Sequence, residues 1–268
     1  MSRKQVTAIC PGLCGELIQG MIGSRELLVS YPIDRYSEIT VRPSSSGSIC
    51  SHRKILQTVN AVLKYLGIPR DEWGTFEIIR CSSLPLGKGM SSSTADIGAT
   101  AAAIAAFFGY KLASNEIAAI AAAIEPTDSI LYEDLAVFDA MNGCVVETLG
   151  RVPPLKVLVL EGIGSVDTIC FHRQRGYVPR IDAVYDRLRS GISAGDWAAM
   201  GCAAIMSARL YQSVLHKPHL DEVIDIALKA GAYGVNVAHT GTAMGIIMDE
   251  DTRIISQPQH CYGGNYKG

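Results

Sequence analysis

Residues 85–96, Pro-Leu-Gly-Lys-Gly-Met-Ser-Ser-Ser-Thr-Ala-Asp, join a strand-like segment to an alanine-rich helix through a glycine turn. A chain that makes this transition so abruptly builds a cradle for an anion. Gly87 and Gly89 carry no Cβ, so the backbone N–H groups around them can come close to an oxyanion. Ser91, Ser92 and Ser93 then fall where the first helical turn still has unpaired N–H donors. Ser93-Thr-Ala-Asp96 fits the capping-box pattern, which places helix entry at Ser93, and the apolar run from Ile97 to Phe108 continues the helix. The natural guest is a phosphate, with simple punctuation of a strand-to-helix turn as the plainer reading.

Two common phosphate loops do not match these residues. The Walker pattern needs Gly-Lys-Ser/Thr four residues after a glycine, and none is present. The dinucleotide fingerprint needs a third glycine where Ser92 stands, and no βαβ unit frames the segment.

Composition sets the frame. A chain of 268 residues is long enough for one large or two modest domains. With 24 Lys+Arg against 26 Asp+Glu the charge is nearly balanced, so neither a nucleic acid nor a membrane surface is expected as a partner. Apolar residues make up 48%, as in a folded globular protein. The longest apolar stretches, Ile97 to Phe108 and Ile117 to Ile124, are too short and alanine-rich to cross a bilayer. The opening Met-Ser-Arg-Lys-Gln leads into a strand without the apolar core of a signal peptide, so the cytoplasm is the expected compartment. Eight cysteines at 10, 14, 50, 81, 144, 170, 202 and 261 form no Cys-x-x-Cys pair. Cys10 and Cys14 invite a zinc reading, but the six histidines supply no matching cluster, and reduced core thiols are the expectation.

Pattern along the chain predicts three opening strands: Val6 to Cys10, Leu27 to Tyr31 and Tyr36 to Val41, the first two separated by a turn-rich interruption from Pro11 to Gly20. An amphipathic helix is expected over Ile55 to Leu66 and a strand over Phe76 to Arg80. After the phosphate-loop helix, another helix begins with Ser114 as N-cap and ends by Glu125, because Pro126 follows. Asp128 is then placed to cap a helix from Ile130 to Phe138. Further on come a strand at Lys156 to Glu161, helices from Ile181, over Asp196 to Tyr211 and over Leu220 to Ala230, and a strand-turn-strand across Val235 to Met248. Pro153-Pro154 marks the expected boundary, dividing the chain into residues 1–152 and 153–268, with the site between two α+β halves.

The motif Pro-x-x-x-Gly-(Leu/Met)-(Gly/Ser)-Ser-Ser that remains is similar to that of the GHMP small-molecule kinases. Three segments resemble one branch of that family, which phosphorylates L-threonine for cobalamin biosynthesis: Cys10-Pro-Gly-Leu-Cys-Gly-Glu-Leu-Ile-Gln-Gly20, Gly89-Met-Ser-Ser-Ser-Thr-Ala-Asp-Ile97 and Glu125-Pro-Thr-Asp-Ser129. The resemblance implies a two-domain α+β fold, with an N-terminal half like domain 2 of ribosomal protein S5 and a ferredoxin-like C-terminal half. Only residues 249–268 follow Met248, so that second half is expected to be trimmed at its end. An oligomer is compatible with the sequence.

The resemblance also assigns roles. Pro85, Leu86, Gly87, Lys88, Gly89, Met90, Ser91, Ser92, Ser93 and Thr94 would wrap the phosphates of ATP, with Lys88 either neutralising phosphate charge or simply solvated beside the turn. Ser92 and Glu125 would hold Mg²⁺. Glu125 stands at a helix C-terminus, where the macrodipole favours cations, so a metal ion gives its carboxylate a reason to be there. Asp128 would take the proton of the acceptor hydroxyl, with Asp139 in Phe138-Asp-Ala-Met-Asn-Gly143 as the alternative base. Glu16 would lie near the substrate, and His239, Thr240 and Gly241 would form a loop closing over the site, with a plain hairpin turn as the alternative for Thr240 and Gly241. Implied partners are ATP and a small hydroxylated amino acid, L-threonine in the first place. Homoserine or a sugar is the second possibility, and a non-catalytic ATP-binding module the third.

Overall fold

The computed structural model describes residues 4–45, 52–73, 75–166, 171 and 176–252. Its spine is a pair of long antiparallel strands, β1 (Val6–Ile22) and β2 (Arg25–Pro43), turning at Gly23-Ser24. The three expected opening strands are therefore two. The Pro11–Gly20 stretch does not leave the sheet but runs through it with register shifts at Pro11/Gly12, Leu13/Glu16 and Glu16/Ile18. Bulges of this kind re-aim side chains without breaking the strand, which is why a glycine- and proline-rich stretch could be mistaken for a loop.

Around this pair the sheet takes the order β5-β4-β2-β1-β7-β8-β6, with β3 (Phe76–Ser82) also on β2. The remaining strands are β4 (Asp134–Asp139), β5 (Cys144–Arg151), β6 (Leu155–Leu160), β7 (Gly234–Val237) and β8 (Met244–Asp249). Paired strands run antiparallel throughout. Glu16 pairs with Ser30 on one side and Val237 on the other, so it sits where the early strands meet the late ones.

The first helices are α1 (Arg53–Tyr65), α2 (Ser92–Phe107) and α3 (Ser114–Ala122). α2 is buried nearly all round, and its alanines let it lie close against the sheet. Together with α1, it closes a core of Ile39, Val41, Ile55, Val59, Ile104 and Phe107. Rings of Phe76, Phe107 and Phe108 cluster with centroids 5.5–6.2 Å apart, Phe108 edge-on to the other two. The later helices are α4 (Asp182–Ala194), α5 (Trp197–Tyr211) and α6 (Leu220–Lys229). α4 and α5 cover a second core that includes Leu17, Val29, Val137, Leu188 and Met200. Among the described residues no helix is long and apolar enough to cross a membrane.

Three local expectations are corrected. The Ser93/Asp96 capping box does not form: α2 opens at Ser92 after Ser91, which adopts the left-handed conformation at φ 51°. Asp96 instead accepts from Arg80 Nε at 2.9 Å and from the Ser37 hydroxyl, a tertiary ion pair that overrides the local pattern. Ser114 is the first residue of α3 rather than its cap, and the Glu116 carboxylate takes the Ala113 N–H at 2.7 Å. The helix expected over Ile130 to Phe138 is a 3₁₀ turn (Ser129–Leu131) followed by β4. β4 is buried on both faces from Leu135 to Asp139, and such a strand shows an unbroken apolar run rather than alternation. Asp128 precedes the 3₁₀ turn but makes no capping bond with its side chain. The expectation of a trimmed tail concerns residues 249–268, of which 253–268 lie outside the described residues.

Candidate active site

One cavity of about 340 Å³ opens at the N-terminus of α2, a volume in the range of small-molecule sites. Seven segments of the chain line it, among them Ala140 of the β4–β5 turn and Ser165 and Val166 after β6. The glycine turn and the first turn of α2 give Leu86, Gly87 and Gly89 to Thr94; the turn after α3 gives Glu125 to Asp128; β1 gives Glu16; the β7–β8 connection gives His239 and Thr240; and α1 gives Lys54.

The α2 mouth presents open backbone donors. Its first intrahelical bond runs from Ala95 N–H to Ser91 O at 2.9 Å, so the N–H groups of Ser92, Ser93 and Thr94 have no partner within the helix. A non-glycine residue in the left-handed region is uncommon, and such residues gather at functional sites. Ser91 adopts it here, and its hydroxyl donates to Asp128 Oδ2.

Close packing fixes the glycines. Gly89 has φ 78°, and a Cβ on it would stand 2.3 Å from Ala238 Cβ and 3.0 Å from Thr240 O. On the facing loop a Cβ at Gly241 would stand 2.2 Å from Gly89 N. Backbone bonds from Thr242 N–H and Ala243 N–H to Lys88 O, at 3.0 and 2.9 Å, lock the two loops together. Thr240 and Gly241 are thus part of a connection clasped to the phosphate loop, and Thr240 lines the cavity. The Lys88 ammonium is turned away: it donates to Gly162 O and Gly164 O, both at 2.7 Å, and does not line the cavity. Pro85 likewise lies outside the lining, one residue before Leu86.

Glu125 and Asp128 both reach the cavity. Glu125 is buried, accepts from the Ser93 hydroxyl, and pairs with Lys54 Nζ, which also donates to Ser93 Oγ at 2.6 Å. Ser92 lines the same cavity, although the serine hydroxyl touching Glu125 is that of Ser93. A carboxylate and a hydroxyl are hard oxygen donors, and Mg²⁺ characteristically takes one or two protein ligands and completes its shell with phosphate and water. The donor set at the α2 mouth fits that ion. Asp128 accepts from Ser91 and from Thr94 Oγ1 at 3.2 Å. Burial pushes its carboxyl above the ordinary aspartate value, the Ser91 hydroxyl pulling the other way. Asp139 is elsewhere: its carboxylate takes the N–H groups of Met141 (3.1 Å) and Asn142 (3.0 Å) and the Asn142 side chain (2.8 Å), holding the turn into β5, and it does not line the cavity.

At the other end, the buried Glu16 accepts the His239 N–H at 2.6 Å. Burial first, and the nearby Asp128 carboxylate second, push Glu16 well above the usual glutamate range. His239 is itself buried, packed edge-on against Tyr211 at 5.4 Å, with Nε2 3.6 Å from Glu26 Oε1. Lys217, also buried, donates to Gly241 O; burial brings its ammonium down to about 8, with the Glu16 charge opposing. Cys10 and Cys14 are buried free thiols that burial pushes up to about 12.

Sequence reasoning missed Lys54 and Lys217. Lys54 could have been noticed, since Arg53 and Lys54 open α1 with positive charge where the macrodipole favours acids, and no acidic residue stands in that first turn. Nothing local marks Lys217.

The model of the GHMP kinases N terminal domain matches residues 53–131, and that of the GHMP kinases C terminal region matches residues 179–258. An L-threonine kinase from Citrobacter freundii is 33% identical over 255 residues, covering 91% of this chain and 86% of that protein. An L-threonine kinase from Salmonella typhimurium is also 33% identical, over 261 residues, covering 93% and 85%. Among solved structures, a homoserine kinase from Cytophaga hutchinsonii superposes with a TM-score of 0.71 at 18% identity, over 94% of this chain and 87% of that one, which speaks to the fold alone. With both family models placed on either side of the cavity and relatives aligned over nearly the whole chain, the protein belongs to the GHMP kinases, phosphotransferases with an alcohol as acceptor.

Proposed function

We propose that this kinase transfers the γ-phosphoryl group of ATP to the side-chain hydroxyl of L-threonine, giving L-threonine O-3-phosphate for cobalamin biosynthesis. The observation that carries the phosphotransfer reading is the meeting of Asp128, Glu125 and the α2 N-terminus in one cavity. The two L-threonine kinases support the choice of acceptor. In the reaction the threonine oxygen bonds to the γ-phosphorus as the bridging bond to ADP breaks, and Asp128 receives the hydroxyl proton. The N–H groups at the α2 mouth stabilise the phosphoryl oxygens by position and charge. Ser92 and Glu125 would hold Mg²⁺, which would neutralise phosphate charge. Lys54 and Ser93 hold the Glu125 carboxylate in place, and Lys88 ties the phosphate loop to residues 162–164.

Incubation with ATP, Mg²⁺ and a panel of alcohols, followed by ADP release, tests the reading. L-threonine is expected to be the preferred acceptor over L-serine, L-homoserine and sugars; preference for homoserine or a sugar would reassign the substrate. Nucleotide binding without turnover of any alcohol would favour a regulatory module. Ser92→Ala and Glu125→Ala are each expected to shift the Mg²⁺ dependence of turnover to higher concentration, by about tenfold for the loss of one charged contact. An unchanged magnesium titration removes that residue from the metal site.

A further inference from the structure

Next to the main cavity lies a small void of about 10 Å³, with Ala140 and His239 standing in the walls of both. A void of this size takes a single group no larger than a water molecule. Its other walls include Gln19, Glu26, Leu27 and Leu28.

Gln19 is 2% exposed and incompletely satisfied. Its backbone N–H donates to Ser207 Oγ at 3.0 Å and its side-chain Nε2 donates to Val237 O at 3.2 Å. Val237 O can only accept, so the orientation of the amide is fixed and its oxygen is the spare atom. That oxygen, Oε1, is buried and has no hydrogen-bond partner among the described residues. A buried acceptor left unpaired is costly, and its retention at the wall of a site calls for a donor from outside the chain. Charge narrows the identity of that donor. Glu26 brings a carboxylate to the same void, with its Oε1 3.6 Å from His239 Nε2.

We propose that Gln19 Oε1 and the Glu26 carboxylate form a subsite for the α-ammonium group of the acceptor amino acid, a proposal that rests on the functional reading above. A primary ammonium has three N–H donors, a positive charge and about the size of the void. In L-threonine it sits on the carbon next to the one bearing the hydroxyl, so a group anchored beside His239 and Ala140 delivers that hydroxyl toward Asp128, on the wall of the adjoining cavity. Gln19 and Glu26 are specificity residues here, and Asp128 keeps the chemistry.

The test uses the full chain and compares L-threonine with 3-hydroxybutyrate, which keeps the hydroxyl and carboxylate and lacks the amine. Gln19→Leu is expected to raise KM for L-threonine roughly 10- to 100-fold, the weight of a hydrogen bond to a charged group, with KM for ATP unchanged. The preference of the wild type for L-threonine over the amine-free analogue should shrink by the same factor. Glu26→Gln, which keeps size and shape on a partly exposed strand position, should move the preference the same way and carries the test if Gln19→Leu does not fold. An unchanged preference in the folded variants, with threonine still turned over, would overturn the subsite alone and leave the void to a water molecule. A wild-type chain that phosphorylates a sugar and no amino acid would overturn the functional reading, and the subsite with it.

Discussion

Asp128→Asn is expected to lower kcat by roughly 10²- to 10⁴-fold, the usual weight of a positioned general base, while leaving the Kd for ATP near that of the wild type. Asparagine keeps the shape of the side chain and can still accept from Ser91 and Thr94, so the cavity wall should survive. What it loses is the capacity to take a proton. The wild-type rate adds a second check. A base works only when ionised, so kcat should rise with pH through the Asp128 pKa, and burial places that pKa above the ordinary aspartate value. The acid limb of the profile should therefore lie higher than for a solvated aspartate and disappear in Asp128→Asn. Undiminished turnover in the variant would remove Asp128 from the mechanism, and Asp139, tied up in its own turn, would not be the replacement that geometry suggests.

Gly89→Ala is expected to cost more than the left-handed backbone alone requires. A non-glycine residue in that conformation loses roughly 1–2 kcal/mol. At Gly89 the new methyl would also press on Ala238 Cβ at 2.3 Å and separate the phosphate loop from the connection that carries Thr240 and Gly241. Gly109 supplies the control, since it has φ 86° and an added methyl there would meet nothing within 4 Å. Gly109→Ala should lower Tm by about 2–8 °C, following the scaling of roughly 2–4 °C per kcal/mol for a chain of this size. Gly89→Ala should lower it at least twice as far and weaken ATP binding by about tenfold or more, read by thermal melts and nucleotide titration. Equal losses in the two variants would show that the clasp between the loops is slack.

That the glycine turn, Glu125 and Asp128 gather at one end of the cavity was legible because they are close in sequence. Gly87 to Thr94 carry their own backbone instructions, and Glu125 and Asp128 are fixed relative to each other by the proline between them. Tertiary pairing defeated the local reading elsewhere: Asp96 looks like a cap residue until Arg80, sixteen residues away, claims its carboxylate. The apolar run of β4 hid a strand because burial on both faces erases alternation. Lys54 and Lys217 reach the site across long sequence separations, as does Gln19 its small void, and no spacing rule connects them to Asp128. The resemblance to GHMP kinases pointed correctly to the fold because its motifs are the same backbone-determined segments.

The seam at Glu16 has a consequence for how ligands come and go. β1 and β7 are joined there by strand pairing, by the Gln19 amide on Val237 O, and by the buried Tyr31 hydroxyl and Asn236 side chain, both bonded to Cys14 O. Such a joint cannot open like a jaw without exposing those bonds to water all at once. Ligand entry is thus expected to leave this joint closed, with the floor beside Glu16 held by β1 and β7 together.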